Sequence, residues 1–172
     1  MAVQKNTTIK DAKQALDWFQ GRIRSAATMR ATLLKAEESQ RGSAVIGKMF
    51  LFKYDPKHKD KLPMYDVYPL VFPIERYSDG FLGLNIHYLS QIERAVFLGK
   101  LERYATAKNL TEKSRLRLSY DLISSTRYIS SESRPLIKRY LFSHIRSRFI
   151  EIPATEWDRA AALPIELFVT KK

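Results

Sequence analysis

Apolar residues recur along the first third of the chain at Ile9, Ala12, Leu16, Phe19, Ile23, Ala26 and Leu33. The alternating three- and four-residue spacing, interrupted once by Arg30, is the seam of a long amphipathic helix. Thr8 followed by Asp11 has the form of a capping box, in which the hydroxyl accepts from a first-turn amide. Arg41-Gly42-Ser43 and Gly47 end the helix and supply a short linker. One helix cannot hide such a stripe from water. It packs either on its own chain or on a neighbouring protein, and in the second case Ile9, Leu16, Phe19, Ile23 and Leu33 form the interface.

The pattern changes at Lys48. From there to Tyr54 the chain is aromatic-rich and alternating, which predicts a strand. A proline-bounded loop, Asp55 to Pro63, follows. A second strand is predicted from Val67 to Ile74, with Pro69 and Pro73 at an edge or a bulge because proline has no amide to give a ladder. Ser78-Asp79-Gly80 is a turn, and Phe81 to Tyr88 is the third strand. Ser90 and Glu93 form a second capping box and open a helix running to about Ala107. The segment after Thr111 fits alternation at Leu116, Leu118, Tyr120 and Leu122, or helical spacing at Leu116, Tyr120 and Ile123; the helix is preferred here. Pro135 suits a helix first turn, and Ile137, Leu141, Ile145 and Phe149 continue at helical spacing. Ile150 to Pro153 returns to the sheet, and Thr155 caps a last short helix that Pro164 ends. The expected fold is α+β: a small antiparallel meander, with an SH3-like barrel as its closed form, covered by helices and preceded by a long N-terminal helix. The expected organisation is a helical arm over residues 1–42 and an α+β body over 43–172.

Composition adds boundaries. The chain has 172 residues, 45% of them hydrophobic and 12% aromatic, enough for a packed core without staples. It has no cysteine, which excludes disulfides and thiolate metal sites. No apolar run reaches the length of about eighteen residues that spans a bilayer, and no signal-peptide core is present. A soluble protein made in a reducing cytoplasm, with no membrane partner, is the expectation.

The net charge of +12 is unevenly placed. Residues 90–150 carry thirteen basic and five acidic side chains, a net +8, whereas residues 48–89 carry six and five. Such an excess suits a polyanion, because cations near phosphates release counterions on binding. Lys57, Lys59 and Lys61, with His58 among them, project from the proline-bounded loop as a phosphate clamp or as a solvated charged loop. Arg139 and Arg146, seven residues apart, share one face of the helix predicted after Pro135, with Lys138 beside them. Arg115, Arg117 and Arg127 extend that patch if the preceding segment packs alongside. Arginine serves DNA backbones and acidic protein surfaces equally. No base-reading motif is present, so contact with nucleic acid would be independent of sequence.

No constellation for catalysis stands out. His58, His87 and His144 lack metal-ligand spacing, and His87 at a strand end reads as structural. There is no GxSxG, P-loop or GxGxxG. Asp55, Asp66 and Asp79 are the one carboxylate set that could be compared with a two-metal site, and all fall in loops or at strand ends. The expectation is a non-enzymatic protein with no cofactor and no metal.

Several segments carry a resemblance. Tyr54-Asp55-Pro56-Lys57, Leu62-Pro63-Met64-Tyr65-Asp66-Val67-Tyr68-Pro69-Leu70 and Asp79-Gly80-Phe81-Leu82-Gly83-Leu84-Asn85-Ile86-His87-Tyr88-Leu89 are similar to a family of small virion proteins of tailed, T-even-like bacteriophages. Lys138-Arg139-Tyr140-Leu141, Ser147-Arg148-Phe149, Glu156-Trp157 and Leu163-Pro164 extend it, so that it covers about residues 48–168 and leaves the N-terminal helix outside. Members are described as DNA end protectors or virion structural proteins. The resemblance implies a virion location, genomic DNA as one partner, and neck, tail or baseplate subunits as others, with the protein oligomeric in the particle. Two functions follow: binding of DNA ends without sequence preference near the head–tail junction, or purely structural assembly.

Overall fold

The computed structural model describes residues 9–27, 48–62, 64–125, 136–164 and 169–171. Five strands form one antiparallel sheet: β1 (Met49–Leu51), β3 (Leu70–Arg76), β4 (Gly80–Asn85), β5 (Ile137–Leu141) and β6 (Ile150–Ile152), in the order β5-β4-β3-β1-β6. The ends of that order do not pair, so the sheet is open and the barrel considered above is not formed. A separate ribbon pairs β2 (Met64–Asp66) with β7 (Val169–Lys171). Among the described residues four helices accompany the strands: α1 (Ile9–Ala27), α2 (Gln91–Ala105), α3 (Glu112–Ser125) and the short α4 (Trp157–Ala161).

Strand alternation gives the sheet two apolar faces. Met49, Leu51, Leu70, Phe72, Ile74, Leu84, Ile150 and Ile152 face the helices, where they meet Ala15, Phe19, Phe97, Leu98, Leu101, Ile123, Trp157 and Ala160. Phe50, Val71, Phe81 and Tyr140 face the other way and pack with Phe52, Tyr54 and Ile145 beneath half-buried Phe142 and Phe149. Phe52 sits within 6.2 Å, centroid to centroid, of Tyr54, Phe81, Tyr140 and Phe149. A sheet apolar on both sides needs this second cover, which aromatic side chains supply in place of a second helical layer.

Local chemistry explains several boundaries. Pro73 lies in central β3, and the β3–β4 register shifts between Pro73 and Glu75, so the bulge absorbs the missing donor. Gly80 faces Leu141 across β4–β5, where a β-carbon would overlap the Tyr140 carbonyl. The capping box of α2 is complete: Ser90 Oγ accepts from the Glu93 amide and the Ser90 amide donates to Glu93. The segment after Thr111 is the helix α3.

Two sequence expectations are corrected and one open alternative is decided. The helix expected after Pro135 is a strand, β5, followed by a 3-10 turn over Phe142–His144. β5 finds ready-made partners in the free edge of β4, and the four apolar residues read as one stripe are divided among three pieces. Ile137 faces the helices, Ile145 bridges to Tyr54, and Phe149 covers the aromatic face. Thr155 caps nothing: Ala154–Glu156 forms a 3-10 turn that runs directly into α4. Finally, of the two placements left open for the N-terminal stripe, Phe19 takes the one on its own chain and not the interface: it is fully buried in the core, as is Ala15.

Helix α1 is therefore not set apart from the body. Trp18 Nε1 donates to Glu156 at 2.7 Å, Arg22 Nε donates to the same carboxylate at 3.0 Å, and the Arg22 guanidinium closes an ion pair with it. The buried face runs through Ala15, Trp18, Phe19 and Arg22, a helix-to-body contact displaced from the heptad seam. Leu16 and Ile23 are half-buried. The side chain of Ile9, all of Leu33, and the Thr8 cap and 41–47 linker fall outside the described residues.

Candidate nucleic-acid interface

Two segments distant in sequence build one exposed basic rim. Alternation past β1 buries Phe52 and Tyr54 and turns Lys53 outward. The chain after β5 comes alongside: the Arg146 amide donates to the Lys53 carbonyl at 2.8 Å, and the Lys53 amide donates to Ser147 Oγ at 2.8 Å. The Asp55 amide donates to the His144 carbonyl at 3.0 Å, and His144 Nδ1 donates to the Asp55 carbonyl at 2.8 Å, which fixes the proton on Nδ1. The loop at 57–61 is pinned at its base, where the amides of Lys61 and Leu62 donate to the His58 carbonyl at 2.9 and 3.1 Å.

The side chains meet on Asp55. Its carboxylate accepts from Lys59 Nζ at 3.0 Å and lies 3.7 Å from the Arg146 guanidinium. The Lys59 hydrogen bond holds the Asp55 carboxyl below its ordinary range and holds the Lys59 ammonium above its own. Both pairs are open to water, with 42% of the Asp55 side chain and nearly half of each cation exposed. Exposed pairs hold weakly and can be exchanged for a phosphate. Lys57 and Lys61 have no ion-pair partner among the described residues. The segments 53–61 and 144–148 together expose five cations, Lys53, Lys57, Lys59, Lys61 and Arg146, against two anions, Asp55 and Asp60, while Arg148 is half-buried with its Nε out of reach of water.

A corner adjoins the rim at the β3–β4 turn. Arg139 lies over the Tyr77 ring, 4.3 Å from its centroid, and its guanidinium pairs with Asp79 across β4–β5. Arg76 lies over Phe142 at 5.8 Å, and the Phe142 amide donates to the Asp79 carbonyl at 2.9 Å. Arg139 and Arg146 thus share no helix face. They stand at the two ends of the 3-10 turn, each held by a different aspartate.

The remaining sequence candidates separate from this surface. Lys138 turns onto the Tyr88 ring at 3.8 Å, and burial lowers its pKa to about 8, with Asp66 opposing the shift. Its charge serves the interior of the sheet end and not the rim. Arg115 and Arg117 lie on α3, which packs on the opposite, helical side of the sheet through Ile123. Arg127 is outside the described residues. Lys53 and Arg76 were missed by sequence reasoning; the outward position of Lys53 in an alternating strand and the position of Arg76 beside Tyr77 at the strand end were the available signals.

Behind the rim lies a buried polar network. Asp66 bonds to His87 Nδ1 and accepts from Asn85 Nδ2 at 3.3 Å, and Asn85 Nδ2 also reaches the Tyr140 hydroxyl at 3.2 Å. Burial pushes the Tyr140 hydroxyl well above its usual value. His87, expected to be structural, is fully buried and ties the end of β4 to β2. The three aspartates compared in the sequence make three separate contacts, Asp55 with Lys59 and Arg146, Asp66 with His87 and Asn85, and Asp79 with Arg139. No three His, Asp or Glu side chains converge as metal ligands among the described residues, and no described helix is long and apolar enough to cross a membrane.

An open antiparallel sheet with helices on one side and a cationic rim at one end defines a mixed helix-and-sheet protein with a surface suited to anions. The chain belongs to the Phage T4 terminal DNA protecting protein family, whose sequence profile matches residues 2–172. That match takes in helix α1, which the resemblance noted above left outside. No curated protein and no solved structure matches the chain.

Proposed function

We propose that this protein binds the termini of duplex phage DNA through backbone phosphates, without sequence preference, and shelters them from nucleases near the head–tail junction of the virion. It does so without making or breaking a bond. The observation that carries the reading is the rim, where Lys59 and Arg146 from two segments meet on Asp55 and Lys53, Lys57 and Lys61 stand exposed on the same segments. Membership of a family described as terminal DNA protecting supplies the terminus. Phosphate contacts position a protein on DNA without reading its sequence, and nothing in the rim provides a recognition helix for the major groove.

The test is retardation of linear duplex DNA across a salt series. Five phosphate contacts correspond to an affinity loss of roughly 500-fold between about 50 and 200 mM salt. Lys57→Glu combined with Lys61→Glu removes two contacts and should lower the salt slope by about 2. Unretarded DNA at low salt would sink the reading.

A second reading is favoured by one observation. Ile92 and Val96, one turn apart on the outer face of α2, are 76% and 53% exposed. Exposed apolar side chains at helical spacing suit contact with another virion subunit, as a structural neck, tail or baseplate protein requires. Incorporation of Ile92→Lys with Val96→Glu into particles, compared with wild type, separates the two: unimpaired incorporation counts against assembly through this face.

A further inference from the structure

Phosphate contacts alone cannot tell a DNA end from its interior, because both present the same backbone. What an end adds is the uncovered face of its last base pair. Such a face is apolar, flat and rich in π-electrons, and it is satisfied by aromatic rings or by guanidinium planes. The corner beside the rim holds both. Arg139 is seated over Tyr77 at 4.3 Å and Arg76 over Phe142 at 5.8 Å. Asp79 tethers the Arg139 guanidinium, yet 46% of that side chain stays exposed. Phe142 is backed in turn by Phe81 at 6.1 Å, so the platform rests on the aromatic face of the sheet. An arginine held in place by a ring behind it and a carboxylate beside it loses little freedom when a base settles on it.

We propose that the Arg139–Tyr77 and Arg76–Phe142 pairs cap the uncovered base-pair face of a DNA terminus by stacking, while the rim holds the adjoining phosphates. This rests on the DNA-end reading given above and assigns the part of the surface that makes it end-specific. Phe142 and Arg146 are four positions apart across the 3-10 turn over Phe142–His144, so they lie well within the extended limit of about 14 Å. At 3.4 Å per phosphate along a strand, the rim reaches no further than about the first four phosphates behind the capped pair. The arrangement also explains why the cations of the corner are arginines: a lysine supplies charge but no plane.

The experiment compares a short duplex with open ends against the same duplex closed at both ends by hairpin loops, by retardation at fixed low salt. Base stacking is worth enough for a preference of about tenfold for the open ends. Arg139→Lys keeps the charge and removes the plane, and Tyr77→Leu removes the ring; each should lower the open-to-closed affinity ratio several-fold, leaving only what the Arg76–Phe142 pair supplies. Thermal unfolding checks that each variant is folded, and if Tyr77→Leu is not, Arg139→Lys decides. Equal affinity of the wild type for both duplexes, or an unchanged ratio in Arg139→Lys, overturns the stacking corner while leaving phosphate binding intact. Failure of the wild type to retard either duplex removes both this inference and the function it rests on.

Discussion

Truncation of Phe19 asks whether helix α1 is part of the folded body or an appendage. The Phe19 side chain has no exposed surface, and its ring stands edge-on to His87 with centroids 5.6 Å apart and planes at 77°. Phe19→Ala removes a buried ring and leaves a cavity bordered by the helical side of the sheet. Changes of this kind cost about 3–5 kcal/mol in transfer and cavity terms together. For a chain of this size each kcal/mol lowers the midpoint by about 2–4 °C, so the melting temperature should fall by about 10 °C. Leu16→Ala, on the same helix but at a half-buried position, should cost less than about 2 kcal/mol. Circular dichroism during heating reads both, with urea unfolding as the check that the transition stays two-state. If Phe19→Ala lowered the midpoint by no more than Leu16→Ala, the helix would be a separate arm and its packing against the sheet would be wrong.

Two further outcomes follow from the same layer. Burial pushes the Glu156 carboxyl up, but the hydrogen bonds from Trp18 and Arg22 outweigh it and hold the group below its usual 4.5. The stability this gives is complete above about pH 4.5 and is lost as acid protonates the folded carboxyl, so the midpoint gap between wild type and Glu156→Gln should close on acidification; a gap that stayed constant would refute the linkage. Arg94, fully buried on α2, donates to the Ala160 carbonyl at 3.1 Å and also to the Leu163 carbonyl, satisfying the end of α4. Charged hydrogen bonds contribute about 1.5–3 kcal/mol each, so Arg94→Met should cost at least about 3 kcal/mol in chemical denaturation, and Arg94→Lys, which reaches one carbonyl, about half as much. Wild-type stability in Arg94→Lys would show that the fork does not matter.

The elements legible in the sequence were those with a local cause. Ser90 and Glu93 fix the start of α2 whatever lies around them, and Asp79-Gly80 turns the chain because Gly80 alone fits beneath Tyr140. Pro73 announced its bulge by lacking a donor. The segment 136–149 was misread because its spacing of four is ambiguous. Ile137, Tyr140 and Leu141 are as much at home in a strand, and the deciding factor was the unpaired edge of β4, some fifty residues earlier in the chain. The same distance hid the rim. Lys59 was visible as a loop cation and Arg146 as a helical one, but their meeting on Asp55 depends on a bridge between Tyr54 and Ile145 that no periodicity contains. Asp66 looked like any other strand-end carboxylate, and only the fold reveals it as the buried acceptor for His87 and Asn85.

The chain has two tryptophans, and the structure places both beside Glu156. Trp18 reaches its carboxylate from α1, and Trp157, the next residue in the chain, is buried against Phe72 with its indole donating to Ile152. Ultraviolet emission from the unmodified molecule therefore comes from one side of the sheet, at the seat of α1. Undocking of that helix will shift the spectrum to the red, and an anion settling on Lys57 or Arg146 will leave it nearly still. The protein thus carries a built-in optical gauge that separates loosening of its architecture from occupation of its charged surface.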